Sequence, residues 1–147
     1  MPLQRWETWG GYKFKQVSKM IEVTCAIIMK GDDVLITQRS ESMQHPLRWE
    51  FPGGKMNPGE SPERCIKREI KEELHVDIKV DRLLPSVVYD YGFSKIKLIP
   101  FVCRLGSGEI QLREHKTYAW IGRKQVKDYD LLEADIEVIN VLNGRWK

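Results

Sequence analysis

No apolar run in the chain approaches the roughly 20 residues that cross a bilayer as a helix, which argues against a membrane span. The N-terminus carries no apolar signal region either, so a cytoplasmic protein is expected. Cysteine is scarce. Cys25, Cys65 and Cys103 form an odd set with no metal-type or redox-type spacing, which excludes a disulfide framework or a cysteine-ligated zinc site. Cys25 and Cys103 lie in apolar runs and read as reduced core residues. Excess charge of one sign is also lacking. The 24 basic and 21 acidic residues leave +3, too little to argue for a polymeric nucleic acid but compatible with a small anionic substrate. There is no repeat and no linker, so one domain is expected.

What is present is a chain of 147 residues, 41% apolar and 31% charged, long enough for a real core. Residues 1–19 are basic and aromatic without a clear period. They are expected as an N-terminal extension, flexible or loosely docked, before a domain spanning 20–147. Alternatively, Trp6, Trp9, Tyr12 and Phe14 form an aromatic arm over a groove or partner, or Met20 is the natural start. From Met20 the pattern tightens. Residues 21–29 (IEVTCAIIM) are β-branched and apolar, a buried strand. Lys30-Gly31-Asp32-Asp33 is turn chemistry, and VLITQR returns as a hairpin strand. Residues 40–48 read as a loop, WEF as a short extended piece, and Pro52-Gly53-Gly54 as a glycine-rich loop. Ser61 is a good N-cap and Pro62 suits the first helical position, so a helix is predicted from Ser61 to Leu74. Residues 76–91 and 95–105 read as strands around a turn at Gly92, and KTYAWI as a further strand. An amphipathic helix from Asp135 to Leu142 would bury Ile136, Ile139 and Val141. This order predicts an α/β sandwich with a mixed sheet and helices on its faces.

The chemistry concentrates between Gly54 and Val76. At 3.6 residues per turn, Glu69, Glu72 and Glu73 fall within an arc of about 100°, beside the apolar stripe Ile66, Ile70 and Leu74. Like charges so placed repel by a few tenths of a kcal/mol per pair, roughly, even on an exposed helix. A hard cation such as Mg²⁺ or Mn²⁺ reverses that balance, because it takes oxygen ligands and leaves room for phosphate. Glu60 can reach back to the helix, and Arg68 can pair with Glu60 or Glu72. Gly53-Gly54 permits close backbone approach to an anion, and Lys55 adds a mobile cation. An isolated EIKEE would be read as a solvated acidic face. The adjoining loop at fixed offset favours a site.

This segment resembles the signature box of the Nudix hydrolases. Gly54, Glu60, Arg68, Glu69, Ile70, Glu72, Glu73 and Val76 match it, and His75 stands where the family has glycine. Since that glycine helps to end the helix, His75 is expected to take an awkward conformation at the C-terminus. Outside the box, MIEVTCAII, ITQR, WEFPGGK and LLEAD are similar to the MutT-like branch, above all to bacterial CTP pyrophosphohydrolases. The resemblance implies a Nudix-type α/β/α sandwich and hydrolysis of a nucleoside triphosphate to monophosphate and pyrophosphate, by water attack at the β-phosphorus. It implies Mg²⁺ held by Glu69, Glu72 and Glu73 with the Gly54 carbonyl. Glu114, in REHKTYAW, stands where relatives carry a metal-linked or general-base glutamate, although it also reads as an exposed loop residue. His115 and Lys116 could touch phosphate.

Arg39, Phe51, Tyr91 and Asp135 match nucleoside-contacting positions of that branch, with Phe51 or Tyr91 packing on the base or in the core. An ionised Asp135 can only accept hydrogen bonds, which suits cytosine N4 and leans toward CTP, dCTP or a modified dCTP. Asp135 could instead N-cap the last helix, or do both. An 8-oxo-dGTP diphosphatase and a catalytically silent ligand-binding module are the alternatives. The full set of box glutamates disfavours the silent module.

Overall fold

The computed structural model describes residues 20–146 together with the backbone of two strands nearer the N-terminus. These two, β1 (Arg5–Trp9) and β2 (Tyr12–Gln16), pair antiparallel as a two-stranded ribbon. The rest of the expectation for residues 1–19, including the aromatic arm, lies outside the described residues.

The sheet that carries the core is built on β3 (Met20–Lys30), whose turn at Gly31 (φ 61°) leads into β4 (Asp33–Gln38) as the predicted hairpin. The two strands stay paired only beside the turn and then diverge. This frees β3 to pair antiparallel with β6 (Gly53–Lys55), while β4 takes β5 (Trp49–Glu50). Helix α1 (Pro62–Leu74) follows, then β7 (Ile78–Leu83), β8 (Val87–Asp90), β9 (Lys95–Leu105) and β10 (Thr117–Ile121). A 3₁₀ segment (Arg123–Asp128) leads to helix α2 (Glu133–Leu142). The strand order is β10-β4-β3-β9-β7, with β5, β6 and β8 attached to β4, β3 and β9. Strands β3 and β9 run parallel and the other pairs antiparallel, so the sheet is mixed as expected.

Alternation along β3 and β4 divides the core into two layers. Cys25, Ile27, Val34 and Ile36 face α2, where Ala134, Val138, Ile139 and Leu142 meet them. Ala26, Ile28 and Leu35 face α1, where Ile66, Ile70 and Leu74 meet them. A helix on each face of a sheet makes an α/β/α sandwich, and strands covered on both sides explain why β3 reads as an unbroken apolar run. Trp146 closes the far end. It is buried, and its Nε1–H donates to the Asp32 carbonyl at 2.7 Å, beneath the first hairpin turn.

Three expectations need correction. Gly53-Gly54 is a strand rather than a loop. A Cβ on Gly53 would lie 2.0 Å from the Thr24 carbonyl oxygen, so glycine allows β6 to press against β3. Residues 76–91 are not one strand. Pro85 has no N–H to give a ladder, and the chain breaks between β7 and β8 while both still pair with β9. The last helix begins at Glu133 rather than Asp135, and the face it buries is that of Ala134, Asp135, Val138, Ile139 and Leu142, which leaves Ile136 exposed and Val141 only partly buried.

Candidate active site

Helix α1 starts where the sequence puts it. The Ser61 hydroxyl accepts from the Arg64 N–H at 3.3 Å, and Pro62 occupies the first turn. It ends at His75, and the structure gives the awkward conformation expected there its form, the left-handed region (φ 59°, ψ 28°) that a glycine would enter freely. The His75 N–H donates to the Lys71 carbonyl, and its Nδ1 lies 2.8 Å from the Gln111 carbonyl oxygen. With its buried stripe against the sheet, the helix brings Glu69 against Gly54 and Glu73 to the Gly53 backbone, while Glu72 lies exposed beside Arg68.

Arg68 organises the carboxylates more widely than expected. It makes two bonds to Glu60, Nε to Oε2 at 2.7 Å and Nη2 to Oε1 at 2.8 Å, and its Nη1 donates to Glu69 at 2.8 Å and Glu72 at 3.2 Å. Nη2 also reaches the Lys55 carbonyl at 3.2 Å, tying the helix to β6. This pairing holds the Glu60 carboxyl down at about 2 and raises the guanidinium further above its ordinary value. The glycine at 54 has a different purpose from the anion approach expected of it. A Cβ there would stand 2.3 Å from the Glu69 carboxylate carbon, so the missing side chain is the space that Glu69 fills. The Gly54 carbonyl accepts from the Thr24 hydroxyl at 3.3 Å and lies 3.6 Å from Cys65 Sγ.

Glu73 is the most perturbed member. Burial, then the charges of Glu50 and Glu69, push its carboxyl up to about 9. Its Oε2 is buried without a hydrogen-bond partner among the described residues. A small cleft of 140 Å³ is lined by Glu69, Glu72, Glu73, Glu114, Arg113 and His115, so the structure brings Glu114 to the box glutamates. Glu114 itself is exposed. Among the described residues, no three His, Cys, Asp or Glu side chains stand close enough to hold an ion as they are, and Arg68 keeps Glu69 and Glu72 occupied. In kind, the donors fit a hard divalent cation. They are carboxylate oxygens, repelling one another, with one buried oxygen unpartnered.

Beside this cleft opens a larger cavity of 650 Å³, and Glu73 lines both. Its walls include Arg39, Lys55, Tyr91 and Asp135, four of the five expected nucleoside and phosphate contacts. Phe51 is not among them. Its ring is buried in the core, and only its backbone N–H faces Asp135. The Tyr91 ring packs near Tyr89 and His45, with centroids at 4.6 and 5.7 Å, and its hydroxyl accepts from the Ala134 N–H at 3.0 Å. Asp135 does not cap α2. Leu132 holds that position, and Asp135 sits in the first turn with Oδ1 accepting from Phe51 N–H at 2.8 Å. Burial, reinforced by the charge of Glu50, drives its carboxyl well above the ordinary range, so the neutral acid is favoured.

Two residues gain an importance that sequence reasoning missed. Glu50, largely buried, receives Arg39 Nη1 on both oxygens (3.0 and 2.9 Å) and His115 Nε2 on Oε2 at 2.9 Å. By sequence His115 reads as a loop residue that could touch phosphate or simply be solvated. It is instead 8% exposed and turned to Glu50, while Lys116 pairs with Glu41 at 2.9 Å on the surface. The signal for Glu50 was an acid held between two aromatics, Trp49 and Phe51, in a strand-like run.

Residues 19–142 match the NUDIX domain. The chain is 32% identical over 121 residues to the CTP pyrophosphohydrolase of Escherichia coli, covering 82% of this chain and 90% of that protein. It is 30% identical over 124 residues to the 8-oxo-dGTP diphosphatase of Buchnera aphidicola subsp. Schizaphis graminum, covering 84% and 94%. The solution structure of the E. coli ORF135 protein superposes with a TM-score of 0.74 at 30% identity, covering 86% of this chain and 91% of that one.

Proposed function

The chain belongs to the NUDIX family, and from that premise we propose that it is a Mg²⁺- or Mn²⁺-dependent nucleoside triphosphate pyrophosphohydrolase that prefers cytosine nucleotides. The observation that carries this reading is the acidic cleft of Glu69, Glu72, Glu73 and Glu114 opening beside a 650 Å³ cavity through their shared wall at Glu73. A triphosphate reaches from one to the other. In the reaction, water oxygen bonds to phosphorus, the bridging P–O bond breaks onto the departing oxygen, and a proton is lost to solvent, leaving monophosphate and pyrophosphate.

Glu69, Glu72, Glu73 and Glu114, with the Gly54 carbonyl, would hold the cation. Once bound, it supplies charge neutralisation and polarisation of the phosphoryl group. Arg68 orients Glu69 and Glu72, and Glu60 holds Arg68 in place. Lys55 lies exposed at the cavity wall, where a mobile ammonium meets phosphate. Arg39, Tyr91 and Asp135 serve the nucleoside end.

The reason for cytosine changes. An ionised carboxylate accepts only, and two acceptors suit the paired N1–H and N2–H donors of a guanine edge. A neutral Asp135 both donates and accepts. That matches the amine and ring-nitrogen acceptor side by side on cytosine. A relative named for CTP supports this choice, and relatives named for 8-oxo-dGTP support the second reading. A nucleotide panel with Mg²⁺, scored for pyrophosphate rather than orthophosphate, tests both. CTP or dCTP should rank first. Absence of turnover for every triphosphate defeats the hydrolase reading, and 8-oxo-dGTP ranking first defeats the cytosine preference.

A further inference from the structure

His115 stands on the wall of the acidic cleft with its imidazole almost wholly shielded, 3% exposed. Its Nε2 lies 2.9 Å from Glu50 Oε2. Arg39 donates to both oxygens of Glu50, which fixes that carboxylate as an acceptor. A carboxylate cannot donate, so Nε2 must carry the proton, and in the neutral imidazole Nδ1 is a bare lone pair. That Nδ1 is buried and has no partner among the described residues. A buried acceptor left unmet in this way destabilises the protein unless something donates to it.

The surroundings limit what can donate. Glu69, Glu72 and Glu114 line the same cleft and, when ionised, are acceptors only; Arg113 and a protonated Glu73 also line it and could donate, but neither bonds Nδ1. A phosphate is likewise rich in acceptors. The donor that fits between a lone pair and a group of carboxylates is water. We propose that His115 is a water-orienting residue of the hydrolytic site, with Nδ1 accepting from the water in the acidic cleft, and that Glu50 is the positioning residue that selects the tautomer. The imidazole takes no proton in this role. It aims the lone pairs of the water by holding one of its hydrogens. Arg39 then serves both ends of the site, lining the nucleoside cavity while anchoring Glu50. This inference rests on the hydrolase reading above, and its test separates the two.

Two substitutions divide the functions of the ring. In His115→Asn the amide oxygen can take the place of Nδ1 while the contact to Glu50 is lost. In His115→Gln the longer amide can still donate to Glu50 while the acceptor at Nδ1 is lost. With CTP and Mg²⁺, His115→Asn should keep kcat within about tenfold of the wild type, and His115→Gln should lose about 100-fold or more with KM little changed. The reverse order, or equal losses, would overturn the inference in favour of a purely structural histidine. If the wild type turns over no triphosphate, the hydrolase reading fails instead, and nitrogen NMR still tests the geometry. With only His45, His75 and His115 in the chain, the imidazole ¹⁵N resonances of the full-length protein are assignable. His115 should show the Nε2–H tautomer, and Glu50→Gln should move it toward Nδ1–H. A wild-type Nδ1–H tautomer would sink the proposal whatever the kinetics.

Discussion

Gly53 and Gly54 are neighbours on one short strand, yet alanine at each should fail in a different way. At Gly53 the new Cβ would lie 2.0 Å from the Thr24 carbonyl oxygen and 2.7 Å from Cys25 Cα, both backbone atoms of β3. No rotamer relieves such an overlap, so β6 and β3 must separate. Overpacking costs about 1–3 kcal/mol and more where backbone must move, against a total stability on the order of 5–15 kcal/mol. The upper end applies to Gly53→Ala, which at about 3–4 °C per kcal/mol for a domain of this size means a melting temperature lower by roughly 10 °C or more. At Gly54 the Cβ meets only the Glu69 carboxylate, with the carbon and Oε2 at 2.3 Å and Oε1 at 2.7 Å. A side chain can swing away. The swing breaks the 2.8 Å contact to Arg68, worth about 1 kcal/mol at this partial exposure. Alanine recovers about 0.4–1 kcal/mol of that by restricting the unfolded chain. Gly54→Ala should therefore melt within a few degrees of the wild type and still lose about 100-fold in kcat, the effect of displacing a reacting group by an ångström. Circular dichroism melts and a pyrophosphate-release assay on both variants decide it. Near-normal kcat in Gly54→Ala, or a wild-type melt in Gly53→Ala, would refute the reasoning.

The other expectations are shorter. Glu72 is exposed, so Glu72→Gln should abolish Mg²⁺-dependent turnover with the melt unchanged. Near-normal rates would remove Glu72 from the site. Glu73 has its carboxyl raised from 4.5 to about 9, so between those values the folded state binds more protons than the unfolded one. Metal-free protein should lose stability, on the order of several kcal/mol, as pH rises through that window. Melts in chelator at pH 5.5 and 8.5 should show the loss in the wild type and not in Glu73→Gln; parallel behaviour would contradict it. Asp135→Asn keeps an acceptor for the Phe51 N–H and the donor-plus-acceptor pattern of the neutral acid, so it should retain both the fold and the advantage of CTP over 8-oxo-dGTP in kcat/KM. A ranking that turns toward 8-oxo-dGTP in this variant would contradict the neutral-acid reading of Asp135.

Much of this protein is local in origin. Ser61, Pro62, the apolar stripe of α1 and the three glutamates beside it follow from helical spacing alone, because capping and periodicity act over a few residues. The alternating layers of β3 and β4 are read the same way. So is the helix end at His75, whose awkward conformation follows from standing in for a glycine, while its positive φ is supplied by the structure. What sequence could not supply depends on contacts between distant segments. Gly54 is a glycine because Glu69, fifteen residues on, needs its space. Asp135 reads as a helix cap or a charged acceptor until Phe51, Glu50 and the surrounding core bury it and favour its neutral form. Glu50 and His115 lie 65 residues apart, and each looks like an ordinary surface residue until the sheet brings β5 beside the segment before β10. Hydrogen-bond partners and desolvation are properties of the assembled structure. The composition of the site was therefore legible in the chain, while the protonation and orientation of its groups were decided only by the fold.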